Sequence, residues 1–143
     1  MTALIQINDD FFVAGQIALQ DFATLAGQGF KAVVNNRPDG EEPSQPSSAE
    51  EAAAAAAAGV RYEQIPVTGP SISEADVRAL QAVLAETDGP VLAHCRSGTR
   101  SLTLYAIGEV LDGRMQRDEL QAFGIDHGID LRGAEAWLAR NGR

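Results

Sequence analysis

Apolar and polar positions switch between two periods along the chain, and the switches mark its elements. Ile5 and Ile7, then Phe12 and Val13, flank the polar turn Asn8-Asp9-Asp10, which predicts two short strands joined tightly. Leu19, Phe22, Ala23, Leu25 and Ala26 recur at helical spacing, and Gly27 or Gly29 can end that helix. Residues 30–35 are short, apolar and β-branched and read as a buried strand, followed by a polar loop with three prolines over 36–46. Ser47-Ser48-Ala49-Glu50-Glu51 matches a capping box in two frames, the alanines at 52–58 propagate the helix, and Gly59 closes it. A strand over 60–67 is broken by Thr68-Gly69-Pro70. Ser73 heads the next helix, with Asp76 at its third position and Val77, Leu80, Val83 and Leu84 on one face. After the turn Asp88-Gly89-Pro90 comes a short apolar strand over 91–94, then a small polar loop over 95–100. Leu102, Leu104, Tyr105, Ile107, Val110 and Leu111 form a helix apolar almost all round, hence buried. Helical stretches near 118–123 and 131–140 finish the chain.

Strands alternating with helices through short loops predict an α/β fold with a mostly parallel central sheet, as one domain over residues 1–143. In such sheets ligands sit beyond the carboxyl ends of strands, and the loop after residue 94 is such a place. With 45% hydrophobic and 22% charged residues, the chain can bury a core without staples. A single cysteine, Cys95, excludes an internal disulfide and Cys-rich zinc or iron–sulfur sites, and with two histidines no metal or cofactor is expected. The longest hydrophobic run, 52–58, is far too short for a bilayer. No Lys or Arg precedes Asp9, so the start lacks the charge of a secretory signal, and a soluble cytoplasmic protein is expected.

Charge sharpens the picture. The net charge of −9 argues against nucleic acid as a partner. Residues 1–90 hold four basic and thirteen acidic side chains, whereas 91–143 hold seven of each. No acid lies between Asp88 and Glu109, yet Arg96 and Arg100 stand there beside the cysteine. A small anion would be welcome in that segment.

The segment is His94-Cys95-Arg96-Ser97-Gly98-Thr99-Arg100-Ser101. A loop joining a strand to a buried helix directs backbone N–H groups and the positive end of the helix dipole into one concavity. A cysteine at its start is favoured as a thiolate. Gly98 allows a backbone shape that other residues resist. Ser97, Thr99 and Ser101 carry hydroxyls able to donate to the sulfur or to a bound oxyanion, and Arg100 supplies a planar fork for that oxyanion. Cys95 is the candidate nucleophile. His94 can tune it or merely end the strand, and Arg96 can cover the substrate or point into solvent.

These residues carry a resemblance. The cysteine loop is similar to that of tyrosine phosphatases and rhodanese-like sulfurtransferases, a strand–loop–helix with Cys first and Arg last. Together with Asn35-Asn36-Arg37-Pro38-Asp39-Gly40-Glu41 after one strand and Ile65-Pro66-Val67 ending another, it more closely resembles the small bacterial phosphatase-like domain of beta-lactamase hydrolase-like proteins. That domain occurs alone or joined to metallo-β-lactamase-fold persulfide dioxygenases, which makes such a dioxygenase a candidate partner. The likeness runs to about Leu111 and implies a three-layer, dual-specificity-phosphatase-like fold with helices on both faces of the sheet.

Two departures bear on the activity that the resemblance implies. Phosphatases of this kind have five residues between Cys and Arg; here four intervene, the rhodanese count. Dual-specificity phosphatases also place an acidic residue after the strand equivalent to 62–67, where this chain has Thr68-Gly69. Asp39, Glu41, Glu74 and Asp76 are substitutes in principle, although Asp76 reads as helix-start charge and Asp39 as a turn residue. Sulfur transfer needs no such acid. The sequence therefore ranks sulfur transfer first: Cys95 would take sulfur from thiosulfate or a persulfide and pass it to an outside thiol such as glutathione. A phosphatase acting on a phosphoester through a phosphocysteine ranks second, and a domain that binds an anion or a partner without chemistry third. Arg37 lies in a loop resembling the family's active-site rim. His127 reads as a surface or cap residue, and Trp137 and Leu138 as the packing face of the last helix.

Overall fold

The turn at Asn8-Asp9-Asp10 closes as expected, with the Asn8 side-chain oxygen accepting from the Asp10 amide at 2.8 Å. In the computed structural model, which describes Met1–Arg143, it joins β1 (Leu4–Asn8) to β2 (Phe11–Ala14) as an antiparallel hairpin. The helix α1 (Asp21–Gly27) and β3 (Ala32–Asn35) follow, then α2 (Ser48–Ala58), β4 (Arg61–Gln64), α3 (Glu74–Glu86), β5 (Val91–His94), α4 (Thr99–Leu111), α5 (Leu120–Asp126) and α6 (Arg132–Arg140). The sheet order is β1-β2-β5-β3-β4, and every pairing except β1 with β2 is parallel.

Side-chain alternation explains the layers. Phe11 and Val13, Ala32 and Val34, and Val91 and Ala93 face one side, where they join the buried residues of α3, α4 and α6. Ala14, Val33 and Leu92 face the other and meet Phe22 and Leu25 of α1 and Ala55 of α2. Helices thus cover both faces of a mostly parallel sheet. The helix that reads as apolar all round, α4, packs between α3 and α6. Its Leu102, Leu104 and Ile107 are fully buried, each side chain contributing about 1.5–3 kcal/mol. Trp137 packs on this side, and its indole N–H donates to the Ile72 carbonyl at 2.8 Å.

Several boundaries differ from the sequence reading: the strand expected over 30–35 starts at Ala32, and the helix expected near 118–123 starts at Leu120 and runs to Asp126. The strand expected over 60–67 ends at Gln64, yet the chain stays extended: the Ile65 and Val67 amides donate to the Asn35 and Asn36 carbonyls. The loop expected over 95–100 is shorter, because α4 already begins at Thr99. Gly98, at φ 95°, turns the chain within a few residues. Of the two capping frames, the helix uses Ser47 with Glu50. Asp76 caps α3 with Ser73, and His127 caps α5 through the Phe123 carbonyl. No helix is long and apolar enough to cross a membrane.

Candidate active site

Cys95 leaves the carboxyl end of the middle strand, β5, and is fully buried. Its amide donates to the Ala14 carbonyl at 3.3 Å, and the Arg96 carbonyl accepts from the Gln16 amide at 3.2 Å, so the loop is strapped to the end of β2. The Gly98 amide donates to the Cys95 sulfur at 3.0 Å. Unlike α2 and α3, α4 starts without a side-chain cap. The start of α4, with the positive end of its dipole, therefore lies beside the sulfur without a side chain capping it.

The strap depends on a glycine that the sequence reading passed over. A Cβ at Gly15 would lie 2.9 Å from the Arg96 carbonyl oxygen. Gly15→Ala is expected to cost about 1–3 kcal/mol and, by shifting the loop, to lower turnover by roughly 10²-fold. Thermal melts and steady-state rates on one preparation check both. A loss of stability without a loss of rate would show that the strap does not set the loop's geometry.

Arg100 sits in the first turn of α4. Its two Nη atoms grip the Glu41 carboxylate at 2.8 and 2.9 Å, and Nη1 also donates to the Val67 carbonyl at 3.0 Å. Those hydrogen bonds to Glu41 are the main reason that the guanidinium pKa rises. Arg100, with help from Arg37, holds the Glu41 carboxyl down at about 2. Arg37 is buried and donates to Glu41 at 2.8 Å, to Glu42 at 2.9 Å and to Gln16 at 3.0 Å. Glu42 takes Arg96 as well, at 2.8 Å, and Arg96 is otherwise 69% exposed. None of the five main surface hollows is lined by Cys95, Arg100 or Glu41. The carboxylate arm of the 36–46 loop lies across the Arg100 fork.

On the other side of the sheet, His94 and Glu51 are both buried. The imidazole Nε2 meets a Glu51 oxygen at 2.7 Å, and Nδ1 lies 3.4 Å from the Cys95 carbonyl. Gln16 bridges the two networks: its amide nitrogen donates to Glu51 at 3.1 Å and its oxygen accepts from Arg37. Hydrogen bonds thus run from His94 through Glu51, Gln16, Arg37 and Glu41 to Arg100.

The structure brings Cys95, Gly98 and Arg100 together and redirects others. Ser101, expected to donate to the sulfur or an oxyanion, is buried and donates to Asn36 Oδ1 at 2.7 Å instead, because as part of α4 it faces the end of β3. Asp39, expected near the rim, turns away and accepts from the Ser48 amide at 2.8 Å, satisfying an orphan donor at the start of α2. The Ser97 hydroxyl donates to Thr99 at 3.2 Å, at the open edge of the loop. Asn36, which the sequence reading did not single out, ties three segments: its amide meets the His94 carbonyl, its side chain the Ile65 carbonyl and Ser101. Glu51 was masked by the second capping frame, and Gln16 carried no signal.

A central cysteine loop ending a parallel strand, with an arginine in the first turn of a buried helix and helices on both faces, defines a phosphatase-like α/β domain. Residues 3–112 match the family of the beta-lactamase hydrolase-like protein, phosphatase-like domain, and the chain belongs to it. A beta-lactamase hydrolase-like protein of Agrobacterium fabrum is 54% identical over 136 residues, 95% of this chain and 32% of the relative. The chain thus spans about a third of the curated relatives that it matches. Among solved structures, a candidate phosphatase of Neisseria meningitidis is 30% identical, with a TM-score of 0.84 and 100% of both chains covered. Pseudomonas aeruginosa TpbA shares the fold at 23% identity and a TM-score of 0.71, over 96% of this chain and 84% of its own.

Proposed function

We propose that this domain is a cysteine-dependent phosphatase. The observation that carries the reading is Arg100, at the start of α4 beside Cys95, already gripping an oxyanion through both arms of its fork. The Cys95 sulfur attacks phosphorus, and a sulfur–phosphorus bond forms as the bond to the leaving oxygen breaks. The Gly98 amide, the first amides of α4 and the Arg100 fork take the equatorial oxygens as negative charge builds there. Water then attacks phosphorus, the sulfur departs as thiolate, and both hydrogens of the water stay on the released dihydrogen phosphate. The phosphatase-like neighbours support this order of readings, reversing the one drawn from the sequence. A TpbA variant has been solved in complex with phosphotyrosine, which supports a phosphoryl substrate for this chain as well.

Sulfur transfer stays as the second reading because four residues, not five, separate Cys95 from Arg100. With no second cysteine in the chain, the sulfur would pass to an outside thiol such as glutathione. Side-by-side turnover of 4-nitrophenyl phosphate and thiosulfate, with mass spectrometry of Cys95 in each, separates them. A phosphoryl adduct and phosphate release are expected. Thiocyanate formation from cyanide with an added sulfur on Cys95, and no phosphate release, would overturn the phosphatase reading.

Any such substrate has to displace Glu41 from Arg100. Glu41→Gln removes the charge from that competitor, so KM and the Kd for inorganic phosphate are expected to fall roughly tenfold. Calorimetry with phosphate checks this, and unchanged affinity would mean that Glu41 leaves Arg100 at no cost. The same contact links stability to acid. Because folding lowers the Glu41 pKa from 4.5 to about 2, its contribution is full above 4.5 and is lost as the pH falls toward 2.

A further inference from the structure

A phosphatase that acts on alcohols or phenols must protonate the departing oxygen, and every carboxylate that the sequence offers for this is committed as an acceptor. Asp39 accepts from the Ser48 amide. Asp76 accepts from the Ser73 amide and hydroxyl, each at 2.9 Å. Glu74 pairs with Arg78 and Arg143. Glu42 pairs with Arg37 and Arg96. Glu41 lies between two guanidinium groups, the arrangement that least tolerates a proton. Beyond β4, Thr68 donates its hydroxyl to Ser71 at 2.8 Å. What lies beside Cys95 is the Gly98 amide, the start of α4, the Arg100 fork and, at the open edge, the Ser97 and Thr99 hydroxyls; these can hold a phosphoryl group, and none is acidic enough to protonate a leaving oxygen.

We infer that the site acts on phosphoryl groups carried by an oxygen that departs as a stable anion without protonation, namely acyl phosphates and phosphoanhydrides. The inference rests on the phosphatase reading and narrows its substrate class. The Cys95 sulfur bonds to phosphorus, and the leaving carboxylate or phosphate takes the electron pair of the broken phosphorus–oxygen bond. Leaving groups of this kind have conjugate acids near pKa 4 and 6, against about 10 for a phenol. General acid catalysis contributes typically 10²–10⁴-fold, and poor leaving groups forgo that factor here.

The test measures kcat/KM for ring-substituted phenyl phosphates of graded phenol acidity, which hold shape constant, and for acetyl phosphate, pyrophosphate and glycerol phosphate. The aryl series is expected to slow steeply, by roughly 10³-fold or more from the most acidic phenol to phenol itself. Acetyl phosphate or pyrophosphate should exceed phenyl phosphate by about 10²-fold and glycerol phosphate by more. Their relative rates decide between an acyl and an anhydride substrate. An aryl series flat to within tenfold would overturn the inference and leave the phosphatase reading standing; no turnover of any phosphoryl compound would overturn both. Glu41→Gln adds a second readout. If a displaced Glu41 is the proton donor, the variant slows phenyl phosphate about 10²-fold while sparing acetyl phosphate, and the inference fails. The expected result is an aryl series equally steep in both proteins.

Discussion

Replacing Cys95 by serine is expected to lower turnover by roughly 10⁴-fold or more, as loss of a nucleophile does elsewhere, while the melting temperature hardly moves. The two side chains are nearly isosteric, and the site is fully buried and closely packed. A serine hydroxyl can also accept the Gly98 amide that now points at the sulfur. What is lost is nucleophilicity, since an unassisted hydroxyl is a weak nucleophile at neutral pH and the site offers it no base. Steady-state rates, thermal melts and phosphate titration on the same protein check the three parts. Phosphate affinity should persist, because Arg100 and the α4 amides are untouched. Residual turnover above about one per cent would place the chemistry on another residue.

The largest stability effect is expected at Glu51. It is 1% exposed and supplies the carboxylate that both the His94 imidazole and the Gln16 amide need. Glu51→Ala leaves the fully buried His94 imidazole without its partner inside a packed layer, while half-buried Gln16 keeps only the Ile17 carbonyl, a loss of about 3 kcal/mol. For a chain of this size that corresponds to a melting temperature about 10 °C lower. Glu51→Gln keeps the shape and one acceptor oxygen, so roughly half of the loss should return. Turnover should fall in Glu51→Ala even where the protein is fully folded, because His94 then no longer has a fixed orientation beside the Cys95 carbonyl. If the alanine variant melts within about 2 °C of the parent, the buried pair adds little to stability.

The fold was readable because its signals are local. The turn at Asn8-Asp9-Asp10, the caps at Ser47 and Ser73 and the apolar run of α4 each act within a few residues, and each appears where the pattern put it. The proposed nucleophile and its arginine could be paired in the sequence for the same reason, being five positions apart on one segment. Contacts between distant segments were not. Nothing near residue 41 says that its carboxylate meets residue 100, and nothing near residue 51 says that it meets residue 94. Ser101 was assigned to the cradle because it adjoins the arginine; a helix that starts at Thr99 turns it inward instead. Loop length and the missing acid after residue 67 ranked sulfur transfer first; the likeness to phosphatase-like relatives, which spans the chain and not one loop, favours the other order.

The middle strand of the sheet, β5, is the last strand in sequence. The hairpin β1–β2 and the pair β3–β4 share no ladder with each other; β5 joins them, pairing with β2 on one side and β3 on the other. Until residue 94 has been made, a growing chain can pair these strands only as two separate half-sheets, each with an unpaired inner edge. Unpaired edges of that kind recruit foreign strands, so this interval is where the nascent protein is most exposed to aggregation. The insertion that seals both inner edges also carries Cys95 to the end of the sheet, so closing the sheet and placing the sulfur are a single structural event.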